Sequence, residues 1–226
     1  YFLELIGEWE KALKSIENSL KIEPERDFYK FIKARIYYNL REYNKSLEII
    51  ENIEKKGLYS YELAGLKGNI YYSLKEWKKA EDSFTHQHVI FPYRPEPIAN
   101  IALCKIWQKN LWEAKKYLEY SDKLIKIEKK YLEKTFNNNT RLTLHVKKAR
   151  GFHSLAMASI DAIEERYSKA IENIKDGAKY FNDYVSNRRE SPFIKENLIK
   201  FNEFKPIMDD RSEERRVGKE CRYRWS

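Results

Sequence analysis

The sequence predicts an all-α solenoid of antiparallel helix pairs, on three observations. Four stretches, GEWEKAL at 7–13, REYNKSL at 41–47, KEWKKAE at 75–81 and NLWEAKK at 110–116, place Ala12, Ser46, Ala80 and Ala114 at a constant step of 34 residues. Trp9, Tyr43, Trp77 and Leu111 keep the same step. A period of this length, carried by small and aromatic residues, belongs to helix–turn–helix units that bury their apolar faces by stacking. Apolar residues also recur three and four positions apart, the spacing of one helix face, and nowhere alternate as in a strand. Finally, the 226 residues include only 7 Gly and 6 Pro, with 42% hydrophobic and 35% charged. That composition suits long amphipathic helices with short connections.

The first repeat covers about residues 1–26. Leu3, Ile6, Trp9, Ala12, Leu13, Ile16 and Leu20 form its stripe, and Pro24 ends a helix expected over Glu8–Glu23. In this register the first helix of that pair starts about eight residues before Tyr1, so the chain reads as part of something longer. The second repeat, 27–60, runs from Asp27 to about Gly57, with Ala34, Tyr37, Leu40, Tyr43, Ser46, Leu47 and Ile50 on its stripe. In the third, 61–94, Gly68 and Ala80 mark a close crossing of two helices, where a larger side chain would force them apart. Tyr71, Trp77 and Phe84 fill the space between neighbouring pairs, and Pro92 stops the helix before the next repeat. The fourth, 95–128, keeps Ala102, Trp112, Ala114 and Leu118.

The period then breaks. The next anchor is Ala170, which lies 56 residues after Ala114, one repeat plus 22. Shared between two antiparallel helices, the excess lengthens each by about eleven residues, roughly three turns. A continuous helix is expected over Trp112–Phe136, then a stop and N-cap at Asn137-Asn138-Asn139-Thr140, then a second long helix from Arg141 to about Arg166. Residues 129–184 thus hold an elongated hairpin and a degenerate repeat. In 185–210, Ser191-Pro192 opens a helix through Phe204 that reads as a partial cap, because a solenoid needs a polar end. Residues 211–226, RSEERRVGKECRYRWS, resemble the translation of a short-read sequencing adapter, departing from it at Tyr223, and are expected to be non-native.

Spacing and residue types resemble the tetratricopeptide repeat, most closely in Gly68, Tyr71, Leu74, Trp77, Ala80, Phe84 and Pro92. The resemblance is strong over 1–128 and loose over 141–184. It implies a right-handed superhelix whose first helices line a concave groove, and binding of peptides or partner proteins as the usual activity. On that pattern the groove residues are Phe31, Arg35, Tyr38 and Asn39, then Asn69 and Tyr72, then Asn100, Leu103 and Trp107. Asn69 and Asn100 fall where carboxylate-clamp members of the family hold a peptide backbone, and an amide that donates and accepts suits that task. The clamp's cations are missing: their positions fall on Gly65 and, if the register resumes at Ala170, on Phe152 and Ala156. Without them a terminal carboxylate gains little. An extended-peptide groove is the expectation.

Charge and chemistry narrow the class further. The net charge is +9, and setting aside the six basic and three acidic residues of 211–226 leaves +6. The lysines share their helices with Glu, which reads as a solvated surface, not as a nucleic-acid footprint. The densest set, Lys115, Lys116, Lys123, Lys126, Lys129, Lys130, Lys134, Lys147, Lys148 and Arg150 on the long hairpin, is interleaved with Glu113, Glu119, Glu128 and Glu133 and is read as lacking an aromatic platform. Cys104, in IALCKIW, is expected to be a small packing residue, and with Cys221 in the tail there is no disulfide framework. No apolar run has the length of a membrane span, and the compartment expected is the cytoplasm.

No catalytic constellation, phosphate-cradling loop, metal set or cofactor motif stands out, and the chain is read as no enzyme. His86 and His88 lie two apart, on different sides of a helix, where the helix dipole favours them near the C-terminus. His145 and His153 lack the paired Glu-x-x-His motifs of a di-metal bundle. The function expected is a protein-interaction scaffold holding a protein or extended peptide. The alternative is the sensor domain of a peptide-responsive bacterial regulator whose effector domain precedes residue 1.

Overall fold

The computed structural model describes residues 8–136 and 140–186, with side chains over 8–131 and 146–180. The expected cap over 191–204 and the tail 211–226 lie outside the described residues. Among the described residues all regular structure is helical: α1 Trp9–Ile22, α2 Asp27–Asn39, α3 Tyr43–Glu54, α4 Tyr61–Ser73, α5 Trp77–Ile90, α6 Pro95–Trp107, α7 Leu111–Phe136, α8 Thr140–Ile163 and α9 Tyr167–Ser186. They fall into two compact units, one reaching Pro92 and one starting at Tyr93. In the first, α1 packs on α2, α2 on α3 and α4 on α5, with α3 against α4. In the second, α6 pairs with α7 and α8 with α9, while α6 and α7 both pack on α8.

One corner, made four times, builds the pairs. Arg41, Lys75, Lys109 and Glu165 adopt φ of 62°, 61°, 62° and 63°. At each, the following amide reaches back across the turn: Glu42 N–H to the Tyr37 carbonyl at 2.9 Å, Glu76 to Tyr71 at 2.9 Å, Asn110 to Lys105 at 2.9 Å and Arg166 to Asp161 at 2.8 Å. This Schellman geometry satisfies carbonyls that the helix end would orphan. The next helix begins two residues on, at Tyr43, Trp77, Leu111 and Tyr167. The step from Lys109 to Glu165 equals that from Ala114 to Ala170, so the repeat register resumes after the long hairpin.

The insertion is absorbed as length. Helices α1 to α6 run to 12–14 residues, whereas α7 has 26 and α8 has 24. Relative to the 13-residue α2, α4 and α6, α8 gains the eleven residues expected.

The repeat anchors form the core. Ala12, Ser46, Ala80, Ala114 and Ala170 are all buried, as are Ala34, Gly68, Ala102 and Ala158, which occupy one equivalent position in the first helices. Their bulky partners also repeat. Ala34 clusters with Ile50, Ala102 with Leu118 and Ala158 with Ile174. In the third repeat the pair is Gly68 with Phe84, whose ring occupies the space a Gly68 Cβ would need, 2.5 Å from its Cε1. The smallest residue faces the largest, so the crossing keeps nearly constant volume. Cys104 is buried and acts as the packing residue expected.

Among the described residues no helix is long and apolar enough to cross a membrane.

Candidate functional site

A cleft of about 530 Å³ opens in the first unit between α2, the end of α3 and the start of α4. Its walls are Phe28, Phe31 and Ile32 of α2, Ile53 of α3, Leu63 of α4, and Leu58 and Tyr59 of the connection between α3 and α4. Phe28, Leu58 and Tyr59 are large apolar or aromatic side chains left in solvent. The connection is aimed by Gly57, at φ 76°, after which Ser60 caps α4 by accepting from the Leu63 amide at 3.1 Å. Tyr59 is held edge-on to the His86 ring with centroids 5.5 Å apart.

Polar groups border these walls. The Arg35 guanidinium lies 5.9 Å from the Phe31 ring centroid, close enough for a cation–π contact. Asp27, Ser60 and Glu62 complete the lining. Lys56 bridges Asp27 at 2.9 Å and Glu25 at 3.0 Å, which raises the Lys56 ammonium above its ordinary value. Glu25, which accepts from Lys30 and Lys56, is held below the usual carboxylate range. Asp27 is thus committed to a lysine, and Arg35 and Glu62 are the other charged residues of the lining.

The expected groove residues divide between the units and play unequal roles. Phe31 and Arg35 line the cleft. Tyr38 and Tyr72 repeat one contact: their rings pack on Tyr43 and Trp77, at 5.9 Å and 5.2 Å, and help seat each second helix on its first. Asn39 is 9% exposed, and its Nδ2 donates to the Arg35 carbonyl at 2.8 Å, so that amide is spent on its own helix. Asn69 is half-buried in the first unit, whereas Asn100, in the second, is 6% exposed. Leu103 packs on the core around Ala102 and Ile106, and Trp107 is half-buried.

Of the positions that would carry a clamp's cations, Gly65 and Ala156 are buried and Phe152 is half-buried. A Cβ at Gly65 would run into Gln87, which donates from Nε2 to the Tyr61 carbonyl at 3.1 Å. Ala156 is fully buried and Phe152 packs beside Ala158 and Ile174.

His88 lies in the last turn of α5, as expected. Burial pushes the His88 imidazole below its ordinary value. His153 is also lowered, first by burial and then by Arg150 and Lys126, with Asp122 opposing. No group of three or more His, Cys, Asp or Glu among the described residues could hold a metal ion. Of the buried carboxylates, Asp161 is tied at the α8–α9 corner, accepting from Arg166 Nε at 2.8 Å and Asn173 Nδ2 at 2.8 Å. Glu128 is raised chiefly by burial, with Arg94 3.4 Å away. Through Asn173, Asp161 ties α8 to α9.

No protein-family model matches the chain, and no curated protein sequence matches it.

Sequence reasoning missed Phe28, Leu58 and Tyr59. Phe28 sits one residue into its helix, before periodicity can assign a face, and a six-residue connection has no period at all. The one available signal was the apolar pair Leu58-Tyr59 directly after Gly57, in a segment where polar residues are the norm.

Proposed function

We propose that the chain is a non-catalytic interaction scaffold of the tetratricopeptide-like class, a right-handed superhelical stack of helix pairs that holds an extended peptide or a partner protein. The corner repeated at Arg41, Lys75, Lys109 and Glu165 and the small–large exchange at each crossing support the class. The cleft on α2 carries the functional reading. Exposed aromatics around a concave apolar floor, with few polar groups, form the kind of site that takes a side chain. Phe28, Phe31, Leu58 and Tyr59 would enclose an aliphatic or aromatic residue of the ligand. Arg35 would donate to a neighbouring carbonyl or carboxylate, and Glu62 would favour a cation on the opposite side.

The test is selection of binders from a random peptide library, followed by titration against wild type, Phe28→Ala and Tyr59→Ala. Both side chains are exposed, so neither variant disturbs the core. Selected peptides should share an aliphatic or aromatic residue and lose about tenfold in affinity against either variant, the order expected when an anchoring contact is truncated. Equal affinity for all three proteins would remove the cleft as the binding surface.

A further inference from the structure

The long helix α7 carries a second surface, separate from the cleft. Its inner side buries Ala114, Leu118, Ser121, Leu124 and Ile125. On the opposite side, at steps of three and four residues, Trp112, Lys116, Tyr120, Lys123, Ile127 and Tyr131 are all exposed. Trp112 is 65% exposed, Ile127 59% and Tyr131 61%, far more than a solvated helix face requires of residues this large. Nineteen residues of helix separate Trp112 from Tyr131, a ridge about 28 Å long. The lysines on the hairpin therefore do have aromatic neighbours, contrary to the expectation from sequence, and Lys116 Nζ sits 3.5 Å from the Trp112 ring centroid.

The charges on this ridge differ from those beside it. Lys115 pairs with Glu164, and Lys126 pairs with Asp122 at 2.6 Å, both off the stripe. Lys116 and Lys123, within it, form no ion pair among the described residues. Among the described residues Glu119 is the acid at its border, since Glu113 is turned to Lys105 at 2.6 Å. An apolar row with unpaired lysines along it disfavours a second copy of the same ridge in register, which would set Lys against Lys. A convex ridge also offers no channel for a single strand of nucleic acid. It does fit the groove of another helix, because apolar residues at helical spacing are what helix–helix packing uses.

We propose that the outer face of α7 docks an acidic amphipathic helix of a partner protein. Apolar residues of that helix interleave with Trp112, Tyr120, Ile127 and Tyr131, and its flanking carboxylates meet Lys116 and Lys123.

The probe is a synthetic amphipathic helix of about 20 residues, long enough to span the ridge, with Leu along one face and Glu flanking it. A copy with Lys in place of Glu is the control. The full chain should bind the acidic probe saturably, more weakly as salt rises, and should not bind the basic copy. Lys116→Glu with Lys123→Glu should reduce affinity at least tenfold, and so should Ile127→Asp. Far-ultraviolet circular dichroism should report unchanged helicity for both variants, since every substituted side chain is exposed. The same chain is then titrated with a single-stranded oligouridine of similar length and with phosphatidylserine vesicles. Failure to bind the acidic helix, equal binding by the variants, or tighter binding to the oligonucleotide or the vesicles would overturn the proposal.

Discussion

The Ser46 hydroxyl donates a 2.6 Å hydrogen bond to the backbone carbonyl of Ala34, across the crossing of α2 and α3. Both residues are fully buried, so the hydroxyl has no water to turn to. The other repeats hold Ala where Ser46 stands, so no side chain at that position can donate to the facing helix. Serine fits this buried position because its one polar atom finds a carbonyl within reach.

Ser46→Ala should therefore cost about 0.5–1.5 kcal/mol, the net value of one hydrogen bond. Ser46→Leu should cost about 1–3 kcal/mol, because extra methylenes would strain the crossing. Urea denaturation midpoints check the order. Equal midpoints for the two variants would mean that α2 and α3 are not held at this distance by residue 46.

A methyl at Gly68 should destabilise the third repeat by about 1–3 kcal/mol, because the buried Phe84 ring fills its place. Phe84→Leu alone opens a cavity and also destabilises. Combined, Gly68→Ala and Phe84→Leu recreate the Ala102–Leu118 pairing of the next repeat, so the double variant should be more stable than the sum of the two losses. A double-mutant cycle on unfolding free energies measures that coupling. Strict additivity would contradict the volume exchange.

Lys75 occupies the left-handed region at φ 61° with a side chain that disfavours it. Lys75→Gly should stabilise the fold by about 0.5–1 kcal/mol, the strain relieved less the added entropy of the unfolded chain. Lys75→Val should do the reverse, since a β-branched residue suits that conformation worst. Thermal midpoints of the three proteins should rank Gly above Lys above Val.

His153 is depressed mainly by burial, so the folded protein resists protonating it. As pH falls below the ordinary imidazole value, about 6.5, the unfolded chain takes up the proton first. The contribution of His153 to stability is complete above that pH and is lost as pH falls towards the lower folded value. His88 is shifted in the same direction. The carboxylates held low, Glu25, Asp122 and Glu164, act only in the more acidic range. His153→Gln should thus flatten the fall in thermal midpoint between about pH 7.5 and pH 5.5, and His88→Gln with His153→Gln should flatten it further. An unchanged slope would show that water reaches the imidazoles.

Repetition made most of the architecture legible before any coordinates. Ala12, Ser46, Ala80 and Ala114 report where two helices touch, because only a small residue fits there. Ala170, 56 residues after Ala114, implied two lengthened helices, and α7 and α8 are both long, because a helix pair can absorb an insertion as length without losing register. The expected stop at Asn137-Asn138-Asn139 lies outside the described residues. The corners at Arg41, Lys75, Lys109 and Glu165 escaped notice because the backbone sets them and four different side-chain contexts share them. No glycine advertises the left-handed residue.

Exposure was a different matter. A helical period names the residues on one face, but neighbouring elements determine whether that face meets solvent. Asn39 and Asn100 fell on the groove pattern, yet both are buried. Phe28 and Tyr59 fell on no pattern, yet they wall the cleft. The same holds on α7, where Trp112, Ile127 and Tyr131 carry the composition of a core and stand in solvent. The sequence by itself determined the helices, their pairing within each repeat and the residues at every crossing, because those depend on contacts a few turns apart along the chain. Tertiary structure decided which apolar surface is left uncovered, because burial is a property of all the elements around a residue and is not encoded at any one position.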